Sequence, residues 1–218
     1  WDDNSSGPKS ALWGRYKPLG GAWGPVELVE PGPNRDSWPA ESQLVAQGNT
    51  IYATWDLNGA RFKARSPGPN GIWGSTRTID GNGGAGRVAF SPDGQMAAAW
   101  HKDVKIGSQW FEVFVKFSND GGQTWFGETN ISNAHNGLDR IPEMTYDANG
   151  DLHVVYQRFD CDGCQPEMWY RKYTRNTGTW SSISNITNTT GRTGAGFQAI
   201  RAFGNDLHFI YTDNTENG

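Results

Sequence analysis

The chain has 218 residues, among them 29 Gly, 11 Pro and 11 Trp, and carries a formal net charge of −4. Its longest stretches without Gly or Pro are 13 residues, which leaves little room for long helices and none for a transmembrane helix of about 20 apolar residues. The low charge gives no reason to expect a nucleic-acid partner, and the aromatic content excludes a disordered chain. One domain spanning residues 1–218 is therefore expected.

Two sequence features recur along the chain, each with a spacing of about 50 residues. The first is a turn that closes on a tryptophan, and the second is an apolar run that ends in an aromatic residue after a Gly-containing turn. In chain order, the turns close on Trp23, Trp73, Trp125 and Trp180, and the runs occupy residues 51–55, 96–100, 152–156 and 207–211. Each repeat holds about four short strands, which predicts an all-β fold, a β-propeller built from four-stranded antiparallel blades.

The position of the repeats relative to the chain ends bears on whether the propeller closes. Three predicted blades are continuous in sequence. A fourth would combine inner strands from about 196–212 with outer strands from about 10–29. That pairing would close a four-bladed ring and remove its exposed sheet edges. The alternative is a fragment of a larger propeller, and the sequence leaves both open.

Two cysteines, Cys161 and Cys164, lie in a polar turn between two predicted strands. A CxxC pair can be a redox motif or half of a zinc site, but the surrounding sequence is not helical and no second ligand pair follows at zinc spacing. A local disulfide is therefore expected, with free thiols or a metal or redox role as alternatives. No cofactor or metal site is predicted.

Residues 118–125 read SNDGGQTW and match the Asp-box pattern S-x-D-x-G-x-T-W, so the chain resembles the sialidase-like, or BNR-repeat, propellers. The full motif occurs once, and the other turns carry looser copies. An aspartate at a hairpin tip accepts hydrogen bonds from the turn, glycine supplies a positive φ, and the tryptophan packs beneath. A structural role is therefore expected for Ser118, Asp120, Gly122, Thr124 and Trp125, and the resemblance implies that the motif lies away from the active face.

The third predicted blade carries a second resemblance. Residues 140–142 read RIP, which looks like the sialidase motif whose arginine binds the substrate carboxylate, and the resemblance makes Arg140 and Arg158 ligand-binding candidates. Asp160 and Asp162 resemble the acid/base aspartate that follows this motif, and they are the catalytic candidates if the protein is an enzyme. The alternative for Arg158 is a surface ion pair with these aspartates.

The chain also departs from the sialidase pattern. A sialidase needs three converging arginines, whereas alignment of the predicted inner strands puts Pro39, Gly84 and Ala195 near the place of Arg140. No paired Tyr and Glu can be assigned from the sequence. Catalysis is therefore left open.

Inner strands and the loops before them line the axis of a propeller, so side chains near these positions should share one opening. Aromatic faces beside polar groups suit sugars, which makes Trp38, Phe197 and Glu143 further ligand-binding candidates. Each has a structural alternative: Trp38 can pack beneath a turn and Phe197 can pack between blades. Arg140 can form an ion pair with Asp139 or Glu143.

The four histidines form no metal signature. His101 and His135 are expected in loops, whereas His153 and His208 occupy corresponding strand positions and are expected to be structural.

The sequence favours a secreted or cell-surface propeller that binds a glycan without catalysis, with no nucleic-acid partner and no membrane insertion. The first alternative is a glycan-active enzyme, either a sialidase-like hydrolase or a polysaccharide lyase. The second is a structural or protein-binding propeller. The sequence does not name the sugar or the oligomeric state.

Overall fold

The computed structural model describes residues 11–32, 40–105, 110–133, 138–159, 166–187 and 195–213. These ranges contain β-strands and no helix, and therefore no helix long and apolar enough to cross a membrane. The strands are β1 (Leu12–Arg15), β2 (Val26–Glu30), β3 (Ala40–Gln47), β4 (Thr50–Asp56), β5 (Ala60–Arg65), β6 (Arg77–Asp80), β7 (Gly83–Phe90), β8 (Met96–Asp103), β9 (Phe111–Ser118), β10 (Phe126–Asn130), β11 (Leu138–Tyr146), β12 (Leu152–Phe159), β13 (Glu167–Thr174), β14 (Thr179–Trp180), β15 (Ser184–Asn185), β16 (Ala195–Phe203) and β17 (Asp206–Asp213).

The strands form three antiparallel meanders of the blade type, which confirms the predicted four-stranded sheets. Blade I contains β3 to β6, blade II contains β7 to β10, and blade III contains β11 to β15. In blade III the fourth strand is split, because β14 and β15 both pair with β13. β1 and β2 form the N-terminal hairpin and β16 and β17 form the C-terminal hairpin, each a separate two-stranded sheet. Closure of a ring stays a prediction.

The first strands of the blades and of the C-terminal hairpin face a common space. Residues of β3, β7 and β11, together with Arg201 of β16, line a cavity of about 290 Å³. We call these four strands the inner strands. Their convergence is the arrangement that a propeller requires.

The second strand of each blade is buried on both faces, because blades stack against one another. The aromatic residues that end the predicted apolar runs, Trp55, Trp100 and Tyr156, are 0% exposed. Tyr211, at the same place in β17, is 39% exposed, since no further sheet covers the C-terminal hairpin within the described residues. These aromatics therefore fill the interfaces between successive sheets.

A repeated polar contact also joins successive sheets. Lys63, Lys116 and Arg171 occupy the same register position of β5, β9 and β13. Each donates a hydrogen bond to a backbone carbonyl of the preceding sheet or of the residues that follow its last strand, and the acceptors are Val29, Ile79 and Ile131. The N-terminal hairpin therefore meets blade I as the outer strands of blade I meet blade II.

The Asp-box turn between β9 and β10 is closed by its own side chains. The Asp120 carboxylate accepts hydrogen bonds from the backbone N–H groups of Gln123 and Thr124 and from the Thr124 hydroxyl, and Ser118 Oγ accepts one from Gly122 N. Gly122 has a φ of 80°, and a Cβ there would lie 2.5 Å from Phe62 and 3.0 Å from Trp125. The turn thus packs tightly against blade I.

Candidate functional site

The candidate site lies at the end of the blades where the inner strands begin and the second strands finish. We call this the axial end. The turns that join the first and second strands, and the Asp-box turn, lie at the opposite end of the strands. Cross-strand pairing at the axial end sets Ala40 opposite Asp56, Gly84 opposite His101, Arg140 opposite Gln157, and Gly196 opposite Thr212.

This register refines the alignment made from sequence. Gly84 does occupy the place of Arg140, but in the first and last units that place belongs to Ala40 and Gly196, one residue beyond Pro39 and Ala195. The expectation that no other inner strand offers an equivalent arginine still holds for these positions.

Every inner strand carries a β-bulge directly after this position, where the register shifts. Three bulges contain a residue with positive φ: Glu41 at 53°, Ala85 at 50° and Ile141 at 53°. This conformation is costly for a β-branched residue such as Ile141 and is retained only where its surroundings hold it. The bulge therefore turns the backbone at the mouth of the axis.

Side chains of neighbouring units hold each bulge. The Asp56 carboxyl group accepts a hydrogen bond from Ala85 N–H. The Ile141 N–H donates to His101 Nδ1 at 3.4 Å, and the Ile141 carbonyl accepts from Gln198 Nε2. Asp56, which follows the buried Trp55, and His101, which follows the buried Trp100, thus each contact the bulge of the next blade.

Arg87 binds three groups at the axial end: the Glu143 carboxylate, the Glu41 carboxylate and the Glu41 backbone carbonyl. Its Nε lies 2.6 Å from Glu143 Oε1, and its Nη atoms lie 2.8 Å from the Glu41 carbonyl and 3.3 Å from Glu41 Oε2. The side chain is 8% exposed, so the ion pair with Glu143 is largely shielded from water. Glu143, a ligand-binding candidate from the sequence, is thus engaged by Arg87.

Arg158 is also engaged. Its Nε and Nη2 atoms lie 2.7 Å and 2.9 Å from the two Asp139 oxygens, and Nη2 donates to the Ser132 carbonyl at 2.9 Å. Asp139 is fully buried, and burial raises the pKa of its carboxyl group while Arg158 lowers it. Trp169 lies beneath the guanidinium at 4.3 Å. In this geometry Arg158 neutralises a buried carboxylate.

Arg140 differs from both of these arginines. Its two expected ion-pair partners are taken, Asp139 by Arg158 and Glu143 by Arg87. Within the described residues the half-buried guanidinium forms no hydrogen bond or ion pair, and its Nε is buried without a partner. Among the described residues its ring contact is with Phe159, whose centroid lies 4.5 Å from the guanidinium carbon. Arg140 is thus a half-buried cation at the axial end that has no anionic partner among the described residues.

Two titratable groups at the axial end were missed from the sequence, and one of them, His101, lies near Arg140. His101 is part of β8, so its expected place in a loop is wrong. Burial of the imidazole, reinforced by the nearby guanidinium groups of Arg140 and Arg87, lowers the pKa of His101 to about 4. Burial also raises the pKa of Asp56, and the Glu41 carboxylate adds to the effect. Such shifted values are typical of functional sites.

Several candidates from the sequence lie outside the described residues. These are Trp38, Asp160, Asp162, Cys161 and Cys164. Phe197 lies in β16, where the structure describes its backbone but not its side chain. The disulfide, the catalytic aspartates and the aromatic platforms therefore stay predictions. In the ranges that the structure does describe, no group of three or more His, Cys, Asp or Glu side chains could hold a metal ion.

The antiparallel blades and the shared space of their inner strands define a propeller-type fold. No family model matches the sequence, and no curated protein matches it either. Among solved structures, a protein of unknown function from Dyadobacter fermentans is similar with a TM-score of 0.67 and 12% identity, over 92% of this chain and 63% of that one. An α-L-arabinofuranosidase from Fusarium graminearum is similar with a TM-score of 0.61 and 14% identity, over 97% of this chain and 63% of that one.

A Hadza microbial sialidase is similar as well, with a TM-score of 0.58 and 17% identity, over 95% of this chain and 51% of that one. The present chain thus spans less than two thirds of the length of each of these three structures. At such identities the similarity shows the fold, a propeller of the type found in sialidases and arabinan-degrading glycosidases, and the fold does not set the function.

Proposed function

We propose that the protein binds an acidic glycan at the axial end, with Arg140 as the group that binds the sugar carboxylate. The observation that carries this proposal is the absence of an ion-pair or hydrogen-bond partner for the half-buried Arg140 within the described residues. Guanidinium groups bind carboxylates through two parallel hydrogen bonds, and a buried charge without a partner is costly. An anionic ligand would remove this cost.

A sugar is the favoured source of the carboxylate for two reasons. The Phe159 ring beside Arg140 offers an apolar face of the kind that packs against pyranose C–H groups. Sialidases and an arabinofuranosidase are among the solved structures with this fold, although at low identity. Location outside the cell or on its surface, where acidic glycans are exposed, is part of the proposal.

The test is direct binding of N-acetylneuraminic acid, glucuronic acid and galacturonic acid, each against its uncharged amide or neutral sugar, by calorimetry. Arg140→Met should weaken binding of the acid by about 10- to 100-fold, since a charge-assisted hydrogen bond is worth about 1.5–3 kcal/mol. Arg77→Met is the matched control, because that exposed arginine donates to the Gly121 carbonyl at the opposite end of the strands. Equal binding of acid and neutral sugars, or no effect of Arg140→Met, would contradict the proposal.

Glycan cleavage is a second candidate, and the Asp56 carboxyl group favours it. Glycoside hydrolysis commonly uses one protonated and one ionised carboxyl group. Burial raises the pKa of Asp56, and Glu41 and Glu143 lie at the same end. Release of product from fluorogenic sialosides or from polyuronides, abolished by Arg140→Ala together with Asp56→Asn or Asp162→Asn, would support an enzyme. Binding without product release would support the non-catalytic function.

A further inference from the structure

Two buried amide side chains connect the C-terminal hairpin to the bulge beside Arg140. Gln198 Nε2 donates a hydrogen bond to the Ile141 carbonyl, and Gln198 Oε1 accepts one from Gln157 Nε2 at 3.1 Å. The two glutamines are only 6% and 8% exposed. Loss of either hydrogen bond would therefore leave a buried polar group unpaired, which is costly.

The orientation of both amides follows from the carbonyl at the end of the chain. The Ile141 carbonyl can only accept, so Gln198 must present its nitrogen to it and its oxygen to Gln157. That oxygen can only accept as well, so Gln157 presents its nitrogen. Neither amide can turn over without breaking a hydrogen bond, and the contact is therefore specific in direction.

The amide pair holds the backbone on both sides of the Arg140 position. Ile141 follows Arg140 directly and has a φ of 53°, a conformation that a β-branched residue retains only where its surroundings hold it. Gln157 lies opposite Arg140 in the pairing of β11 with β12. The other contact of this bulge, from Ile141 N–H to His101 Nδ1, is long at 3.4 Å. The carbonyl contact with Gln198 is thus the shorter of the two.

Arg140 depends on its backbone for its placement more than the other two arginines of the axial end do. Arg87 and Arg158 are each held by a carboxylate. Among the described residues, Arg140 forms no ion pair or hydrogen bond that would hold its side chain. A β-bulge changes the direction in which a neighbouring side chain leaves the strand. The Ile141 bulge therefore bears on where the Arg140 guanidinium lies.

We propose that Gln198 and Gln157 are positioning residues for Arg140: they hold the Ile141 bulge, and the bulge directs the guanidinium that binds the sugar carboxylate. The inference rests on the proposed function. Neither glutamine has to touch the ligand, because both act through the backbone. The C-terminal hairpin, which carries Gln198, is thereby part of the binding machinery.

The alternative is that the amide pair only fastens the C-terminal hairpin to blade III. The two roles differ in one measurable respect. A fastening contact contributes to stability without affecting the choice of ligand. A positioning contact changes the affinity for acids, and it does so only while Arg140 is present.

The experiment uses Gln198→Met, which removes both hydrogen-bonding atoms and keeps a side chain of similar length. Gln43→Met is the matched control, because Gln43 Oε1 also lies near the backbone of a neighbouring inner strand, 3.5 Å from Val88 N, but between blades I and II. The probes are N-acetylneuraminic acid and glucuronic acid, each beside its uncharged amide, measured by calorimetry. Unfolding temperatures show whether each variant is folded.

Gln198→Met should bind the acids about 10-fold more weakly and the amides with less than about 2-fold change, if the binding-competent bulge falls to about a tenth of the population. Gln43→Met should change neither affinity. In the Arg140→Met background, Gln198→Met should not reduce the residual affinity further. Gln157→Met, which removes one hydrogen bond and leaves the Ile141 contact, should have a smaller effect of the same kind, and it decides the matter if Gln198→Met does not fold.

The outcomes separate this inference from the proposed function. If Arg140→Met loses binding of the acids while a folded Gln198→Met binds them like the wild type, the positioning role is wrong and the carboxylate site stands. The positioning role is also wrong if Gln198→Met weakens acids and amides equally, or still acts when Arg140 is absent. If the wild-type protein binds none of the acids, both proposals fail.

Discussion

Arg87 Nε lies 2.6 Å from Glu143 Oε1, so the inner strands of blades II and III are joined by a largely buried ion pair. Removal of one partner leaves the other charge buried, so Arg87→Met should lower the free energy of unfolding by about 3–5 kcal/mol. The double variant Arg87→Met, Glu143→Leu should lose less than the sum of the single changes. Urea unfolding measures all three.

The control for this pair is Arg175→Met. Arg175 pairs with Asp93 between the same two blades, but at the opposite end and with greater exposure, so its loss should change stability much less. Additive effects of the Arg87 and Glu143 substitutions would show that the two charges do not interact as described.

Lys116 is the clearest of the three cations that join successive sheets. Its side chain is nearly buried, it donates to the Ile79 carbonyl, and its ammonium lies 4.9 Å from the ring centroids of both Trp100 and Trp125. Lys116→Met should destabilise the protein by about 1–3 kcal/mol, because the carbonyl loses its donor. Lys102→Met in the same blade should lower the free energy of unfolding by less than about 1 kcal/mol. The Lys102 side chain is more exposed than that of Lys116, and its ammonium lies 3.5 Å and 3.3 Å from the carboxylates of Asp80 and Glu128. Equal losses in denaturant unfolding would refute this assignment.

His101 should make stability depend on pH in mild acid. Its pKa is about 6.5 in the unfolded chain and about 4 in the folded protein, so the folded state binds fewer protons between these values. Stability therefore rises with pH across this window and is lost as the pH falls from about 6.5 to about 4, by at most about 3 kcal/mol.

His101→Asn cannot titrate there and keeps an acceptor for Ile141 N–H, so its stability should fall less over the same range. Urea unfolding at several pH values gives the comparison. The raised pKa of Asp56 acts in the opposite direction but is common to both proteins. A parallel decline of wild type and variant between pH 6.5 and pH 4 would exclude this role of His101.

Asp120 should matter for stability but not for glycan binding. Its carboxylate accepts hydrogen bonds from four groups of the turn, the hydroxyls of Thr124 and Ser118 and the backbone N–H groups of Gln123 and Thr124, and these bonds hold its pKa below the usual range. Asp120→Ala should therefore lower the Tm by a few degrees near neutral pH, and the difference should shrink as the pH falls below about 4 and the wild-type carboxylate is protonated. Asp206→Ala, an exposed aspartate at the start of β17, is the control. Loss of glycan binding in a folded Asp120 variant would mean that the axial end is not the binding site.

Much of the blade architecture follows from sequence because its signals are periodic. The aromatic residues at positions 55, 100 and 156 end apolar runs that become the second strands, and their complete burial follows from packing on both faces. The inter-blade cations are harder to predict. Lys63, Lys116 and Arg171 look like ordinary surface charges on a half-polar strand, and their role depends on carbonyl groups about 34 to 40 residues away in the chain.

The candidate site is only partly predictable for a related reason. Arg140 stands out through the short RIP motif, but whether it is paired depends on Arg158 and Arg87 taking its carboxylate neighbours. Asp56 and His101 have no motif of their own. The one signal that could have found them is their place directly after the aromatics Trp55 and Trp100, at equivalent positions of two blades.

The repeated contact of Lys63, Lys116 and Arg171 with the sheet before has a consequence for how the molecule opens. This contact joins the N-terminal hairpin to blade I, blade I to blade II and blade II to blade III, so the coupling among these sheets is between nearest neighbours. Within the described residues, blade II packs between blades I and III, whereas the C-terminal hairpin packs against blade III. In native-state hydrogen exchange, the amide protons of β8 should exchange most slowly and those of β17 among the fastest. Local unfolding should therefore begin at the terminal hairpins and reach blade II last.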